Sequence, residues 1–282
     1  FYRVAKKDRW IDTNAVRLAS EEIYVTKALP LMEGENWFSP FFIPDTSTVN
    51  YVFNTNLLPR GSIEADAATI SWYTPDVGSV NATNYYSMVT NRIWLANSGW
   101  QYSIGGIGPA GGMIVPIDQA FNIELPAGMG TNLVLIGQLP TQAVTRIAGG
   151  ASAFSVVDDT LWKYHVLSYG LPVRTAIENL GFAGSGLVGN NNPSLADEIR
   201  ILSNVNGNGS LDQPKARLYL KSDGTTWAYR SYSTNDFPYG PPSANSYIIE
   251  PDESVVVVRR NTGGMTWTNP LPYSLPTKNM TP

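Results

Sequence analysis

An internal repeat constrains the fold of this chain more than any other feature of its sequence. Five blocks recur in the same order in both halves, at offsets between about 125 and 134 residues. The paired blocks are residues 15–19 with 143–148, 41–44 with 169–172, 67–72 with 196–201, 92–102 with 217–229, and 115–123 with 249–257. We therefore predict two tandem units, 15–142 and 143–272, flanked by an N-terminal arm (1–14) and a C-terminal tail (273–282).

The clearest pair of blocks predicts a β-hairpin in each unit. Arg92-Ile93-Trp94-Leu95 is followed by Gly99-Trp100, and Arg217-Leu218-Tyr219-Leu220 is followed by Gly224 and then Trp227. A strand, a turn that contains glycine and a second strand with aromatic residues are typical of a hairpin. Short helical stretches are expected after the proline of each second block, at 46–58 and 174–180. These patterns predict that each unit is an all-β sandwich or barrel with one short helix.

Composition favours the same fold class. Only 15% of the residues are charged, whereas the chain contains 25 Gly and 20 Pro. Such a mixture suits many short strands joined by tight turns, with Asn, Ser and Thr rather than Lys and Glu on the surface. The continuous apolar run 255–258 predicts a strand that is covered on both faces.

The residue types that most catalytic and metal sites require are scarce. The chain has no Cys and one His, His165, which we interpret as a strand residue. Thiolate zinc sites and a Cys nucleophile are thereby excluded, and a Ser-His-Asp site would need His165. Glycoside hydrolysis needs only two carboxylates, and the candidates are Asp118 with Asp252, 158–159 and 197–198. Equivalent repeat positions should lie far apart, and adjacent strand residues point to opposite faces. We predict no enzyme, no cofactor and no metal.

Other ligand classes also lack their usual signals. The glycine-rich run 105–112 has no Lys and lies between predicted strands, so we expect a hairpin loop rather than a phosphate site. Lys6, Lys7 and Arg9 are the one close group of basic residues, which does not predict a nucleic-acid partner. No run approaches the ~18 apolar residues of a membrane span.

The N-terminal arm is unusually apolar for a chain end. It carries the candidate assembly contacts Phe1, Tyr2, Val4, Trp10 and Ile11. Disordered tails rarely hold so many apolar residues, so we expect the arm to pack against its own chain or against a neighbouring subunit. Addition of a strand to a neighbour's open sheet edge would build a polymer without disulfides.

The tryptophans bear on whether the protein has an exposed binding surface. The tryptophans of the two units, at positions 37, 72, 94, 100, 162, 227 and 267, fall mostly on predicted strands. Core packing is the expected role for such positions, whereas exposed rings would offer contacts for a surface glycan.

Three motifs carry a resemblance. They resemble segments of uncharacterised secreted bacterial proteins with duplicated β-rich units. The motifs are Gly34-Glu35-Asn36-Trp37-Phe38 running to Phe42-Ile43-Pro44-Asp45, Ala67-Ala68-Thr69-Ile70-Ser71-Trp72-Tyr73, and Arg92-Ile93-Trp94-Leu95 with Gly99-Trp100. The resemblance covers most of 31–140 and implies export and a β-rich fold.

These observations together predict a secreted, extracellular or cell-surface protein. The chain begins at Phe1 rather than Met, which fits removal of a leader. We expect a structural subunit that binds copies of itself and forms a filament or surface layer through its arm. The alternative is an adhesin or carbohydrate-binding module that binds a surface glycan with exposed aromatic residues. An enzyme would instead require two carboxylates that converge in a cleft.

Overall fold

The structure, a computed structural model, is built almost entirely of short β-strands. It describes residues 3–5, 24–53, 57–73, 80–81, 89–116, 119–140, 143–148, 161–203, 214–230, 243–260 and 263–271. The strands of the first half are β1 (Arg3–Ala5), β2 (Tyr24–Leu31), β3 (Gly34–Phe38), β4 (Thr69–Tyr73), β5 (Val80–Asn81), β6 (Val89–Ala96), β7 (Gly99–Ile104), β8 (Phe121–Leu125) and β9 (Thr131–Gln138). Those of the second half are β10 (Val144–Ala148), β11 (Leu161–Ser168), β12 (Thr175–Ala176), β13 (Glu198–Leu202), β14 (Ala216–Leu220), β15 (Trp227–Tyr229), β16 (Ile248–Ile249), β17 (Ser254–Arg259) and β18 (Met265–Asn269). The predicted all-β class is confirmed.

The first half is a two-layer β structure. Its main sheet is antiparallel, with the strand order β3-β8-β4-β6-β7. Alternate residues of the central strands, such as Ile70, Ile93 and Ile123, are fully buried on one face. The ribbon formed by β2 and β9 contributes Leu29 and Leu133 to the same hydrophobic cluster. Burial of one face of the sheet against the ribbon therefore forms the core.

The second half repeats this arrangement. Its main sheet has the order β15-β14-β13-β17-β11-β5, and the β10–β18 ribbon packs on the same core. Trp267 of the ribbon stacks on Phe182 with ring centroids 4.3 Å apart, and its Nε1 donates a 2.6 Å hydrogen bond to the Leu180 carbonyl.

The two main sheets share one strand order. Taken from the hairpin end, β7-β6-β4-β8-β3 corresponds strand by strand to β15-β14-β13-β17-β11. The pairing registers agree as well, because Ser71 lies opposite Arg92 in the first sheet and Arg200 lies opposite Arg217 in the second. This correspondence is what a tandem duplication would produce. The boundaries 15–142 and 143–272 stay a prediction.

The two halves touch through backbone and charged groups. β5 of the first half pairs with β11, so the second sheet contains a strand from the first half. The Lys27 ammonium lies 2.8 Å from the Asp252 carboxylate, and the Ser39 amide donates to the Asp252 carbonyl at 3.2 Å. Asp252 lies in the turn before β17, whereas Asp118 lies outside the described residues.

The helical stretches are shorter than predicted. Helix α1 covers Val49–Val52 within the predicted 46–58, and the stretch 174–180 holds a 3₁₀ turn at Ile177–Asn179. Val, Asn and Tyr have modest helix propensity, so one buried turn is all that packing stabilises here. Both predicted hairpins are confirmed, as β6–β7 and β14–β15. Every residue of 255–258 is fully buried, also as predicted.

Candidate functional site

The N-terminal arm adds a short strand to the edge of the first ribbon. Arg3, Val4 and Ala5 pair antiparallel with Thr26, Val25 and Tyr24 of β2, whose other edge pairs with β9. Thus β1 covers three of the eight residues of β2. Of the predicted assembly contacts, Val4 is placed on this edge, and Phe1, Tyr2, Trp10 and Ile11 lie outside the described residues.

A second candidate site lies on the face of the first sheet that is turned away from its core, here called the outer face. Directly opposed residues of an antiparallel pair share a face. Thr69 lies opposite both Trp94 and Glu124, and Ser71 lies opposite Arg92. The outer face therefore carries polar residues on all three central strands, and Trp94 lies among them on β6.

Arg92 is the centre of this outer face. Its Nε donates to Glu64 Oε1 at 2.6 Å, its Nη2 donates to Glu124 Oε2 at 2.9 Å, and its Nη1 donates to Ser71 Oγ at 3.3 Å. Ser103 Oγ donates to the second oxygen of Glu64 at 2.7 Å. Burial lowers the pKa of Arg92, but the hydrogen bonds and charges of Glu64 and Glu124 outweigh it, so the net pKa is raised. The guanidinium is therefore a fixed cation between two carboxylates.

An open pocket of about 350 Å³ lies over this cluster. Its walls include Glu64, Thr69, Arg92, Glu124 and Pro126. Thr69 is 3% exposed, and its Oγ1 has no hydrogen-bond partner. A buried hydroxyl without a hydrogen-bond partner lowers the stability of the fold by about 1–3 kcal/mol. Since most buried polar groups are hydrogen-bonded, the Thr69 hydroxyl requires an explanation.

The corresponding face of the second sheet is closed. Glu198, which takes the place of Thr69, is fully buried and accepts from Arg200 at 2.9 Å and from Arg217 at 2.5 and 3.1 Å. Arg230 and Arg260 also contact this carboxylate, at 3.3 and 3.1 Å. Burial raises the pKa of Glu198, but the hydrogen bond from Arg217 and the nearby guanidinium charges outweigh it and lower the pKa overall. We interpret this cluster as a structural ion-pair network.

The remaining predicted residues have structural roles. His165 is fully buried, opposite Val257, which belongs to the second core. Asp197 is fully buried and contacts the Arg259 guanidinium at 2.7 Å, whereas 158–159 lie outside the described residues. The run 105–112 links β7 to β8 as a loop with positive φ at Gly105 and Gly108.

The tryptophans divide by face. Trp72, Trp100, Trp227 and Trp267 are core residues, as predicted. The core interpretation is wrong for Trp94. Its cross-strand partners Thr69 and Gln101 assign it to the outer face, where it is half-buried. Trp37 is buried on that face too, opposite Asn122, while the side chain of Trp162 is not among the described groups.

Sequence reasoning missed the cluster of Glu64, Arg92 and Glu124. Strand alternation is a signal that could have assigned Arg92 and Trp94 to the outward face, because Ile93 and Leu95 are buried in the core. The two carboxylates, however, come from a 3₁₀ turn and from β8. The two carboxylates converge, as the enzyme alternative required. However, the guanidinium fills the space that a sugar ring and a water molecule would need between a hydrolytic pair.

Within the part of the chain that the structure describes, no three His, Cys, Asp or Glu residues are grouped as metal ligands, and no helix is long and apolar enough to cross a membrane. Comparisons of the chain with protein-family models, with curated proteins and with solved structures find no match.

Proposed function

We propose that this protein is an extracellular structural subunit that self-assembles into a filament or surface layer by exchange of its N-terminal strand. The observation that carries the proposal is the position of β1, which is the edge strand of its three-stranded sheet and pairs only with β2 there. The segment 6–23 joins it to β2, its pairing partner. A neighbouring chain's β1 can make the same backbone hydrogen bonds with β2.

Strand exchange from one subunit to the next is able to build an open polymer. The donor is the arm of one subunit and the acceptor is the β2 edge of the next, so the contact is heterologous. Heterologous contacts give rings when the rotation closes and filaments when it does not. Exchange costs little free energy, because every hydrogen bond that β1 makes with a neighbouring β2 replaces the same hydrogen bond within one chain.

The test uses the absence of cysteine from the chain. Val4 and Val25 are direct cross-strand partners, and the Cα atoms of such partners are about 4.5–5.5 Å apart, within the span of a disulfide. A chain with both Val4→Cys and Val25→Cys can be oxidised to lock the arm onto its own β2. We expect the oxidised protein to stay monomeric by electron microscopy and light scattering, and the reduced protein to polymerise like the wild type.

A mixing experiment gives the complementary result. Equal amounts of a Val4→Cys chain and a Val25→Cys chain should form a mixed disulfide dimer on oxidation, while the wild type forms none. Deletion of residues 1–14 should abolish polymers. The proposal is wrong if the wild type is monomeric under all conditions, or if the locked protein polymerises as well as the reduced one.

A further inference from the structure

We propose that the pocket on the outer face of the first sheet binds a neutral saccharide, with Trp94 as the stacking surface. Trp94 is two residues from Arg92 on the same strand and face, and it lies opposite Thr69, which lines the pocket. The half-buried indole neighbours one residue of the pocket wall, Thr69, and offers an apolar plane for one face of a sugar ring that extends from the pocket. Directed hydrogen-bonding groups then lie at the edge of that ring.

The polar groups of the pocket suit a ligand with neighbouring hydroxyls. A hydroxyl both donates and accepts, so a diol can donate to a carboxylate and accept from a guanidinium at the same time. Glu64, Glu124 and Arg92 present those two functions side by side, and their mutual hydrogen bonds fix them before the ligand arrives. Thr69 Oγ1 is buried at the pocket wall, and no group among the described residues forms a hydrogen bond with it.

Charge argues for a neutral ligand. The pocket contains two carboxylates and one guanidinium, so its net charge disfavours phosphates, sulfates and acidic sugars. A cation would gain from the carboxylates, but Arg92 already occupies the position between them.

The second sheet supplies an internal comparison. There the equivalents of Trp94 and Gln101 are Tyr219 and Ala228, which are buried and pack with Ala196. The equivalent of Glu124 is Val258, which is fully buried. These positions are therefore buried in the second half, whereas in the first half Trp94 and Gln101 are half-buried and Glu124 borders an open pocket.

The experiment is a calorimetric titration with neutral oligosaccharides of glucose, mannose, galactose and N-acetylglucosamine, up to about 10 mM, which spans the weak millimolar affinities expected for a shallow site. The variants are Trp94→Ala, Trp94→Phe and, as a matched control, Tyr51→Ala, since Tyr51 is an exposed aromatic residue outside the pocket. We expect Trp94→Ala to weaken binding at least about tenfold, and Trp94→Phe and Tyr51→Ala to retain most of it.

A measurement on the wild type guards against a misfolded variant. On saccharide addition, the indole N–H resonance of Trp94 should shift in an NMR titration, and those of the buried Trp100 and Trp227 should not. Affinity should also be unchanged between about 0.05 and 0.5 M salt, because a neutral ligand is not screened. The proposal is overturned if none of the oligosaccharides binds, if binding survives Trp94→Ala undiminished, or if the pocket instead takes a charged ligand with salt-sensitive affinity.

Discussion

Replacement of Glu198 by Gln tests whether the arginine cluster of the second sheet is held together by one buried charge. The Glu198 side chain is fully buried, and the side chains of Arg200, Arg230 and Arg260 are at most 14% exposed. Gln keeps the shape of Glu but leaves these guanidinium groups without the negative charge that they surround. Removal of one partner from a buried ion pair costs about 3–5 kcal/mol.

The assay is thermal unfolding followed by circular dichroism at pH 7. For a chain of this size a loss of 3–5 kcal/mol corresponds to a fall in Tm of about 6–20 °C. The matched control is Glu124→Gln, which removes a carboxylate that also binds an arginine but whose side chain is 45% exposed. That control should cost less than about 1 kcal/mol, because solvent screens the pair.

The pH dependence gives a second readout. The folded-state pKa of Glu198 is lower than its unfolded value of about 4.3, so this group stabilises the fold above that pH. The contribution is lost as pH falls through the lower, folded pKa, and Glu198→Gln should reduce the acid sensitivity of the protein. Equal losses for Glu198→Gln and Glu124→Gln, or an unchanged acid profile, would refute the reasoning.

Three other predictions follow from single side chains. Trp267→Phe should lower the free energy of unfolding in urea by about 2–4 kcal/mol, because it removes packing volume and leaves the buried Leu180 carbonyl without its hydrogen-bond donor. The control Trp94→Phe, at a half-buried position, should lower that free energy by less than half as much. Thr69→Val should raise stability by about 1 kcal/mol in the same assay, because it removes a buried hydroxyl that has no partner; a clear loss would show that the hydroxyl is satisfied in solution. The Asp223 carboxylate accepts side-chain and backbone hydrogen bonds from Thr226 and Thr225, which lower its pKa to about 2, so its NMR signal should titrate near that pH and not near 4.

The sequence by itself determined the fold class and much of the local structure. Side chains in a strand alternate between two faces, so the polar and apolar alternation around Arg92 and Arg217 predicted two hairpins. The four consecutive valines at 255–258 predicted a strand covered on both faces. These properties depend on neighbours within a few residues, and the printed sequence contains all of that information.

Only the tertiary structure decided which outward-facing residues meet and what covers them. Arg92 and Arg217 occupy matching positions, yet Arg92 borders an open pocket with Glu64 and Glu124, while Arg217 binds the buried Glu198. The arginines around Glu198 come from two strands and from the residues that follow two other strands, and Glu64 comes from a separate turn. Strand periodicity assigns a residue to a face, but contacts between distant segments set the burial, charge and openness of that face. The candidate saccharide site is therefore a consequence of long-range packing, which no local pattern encodes.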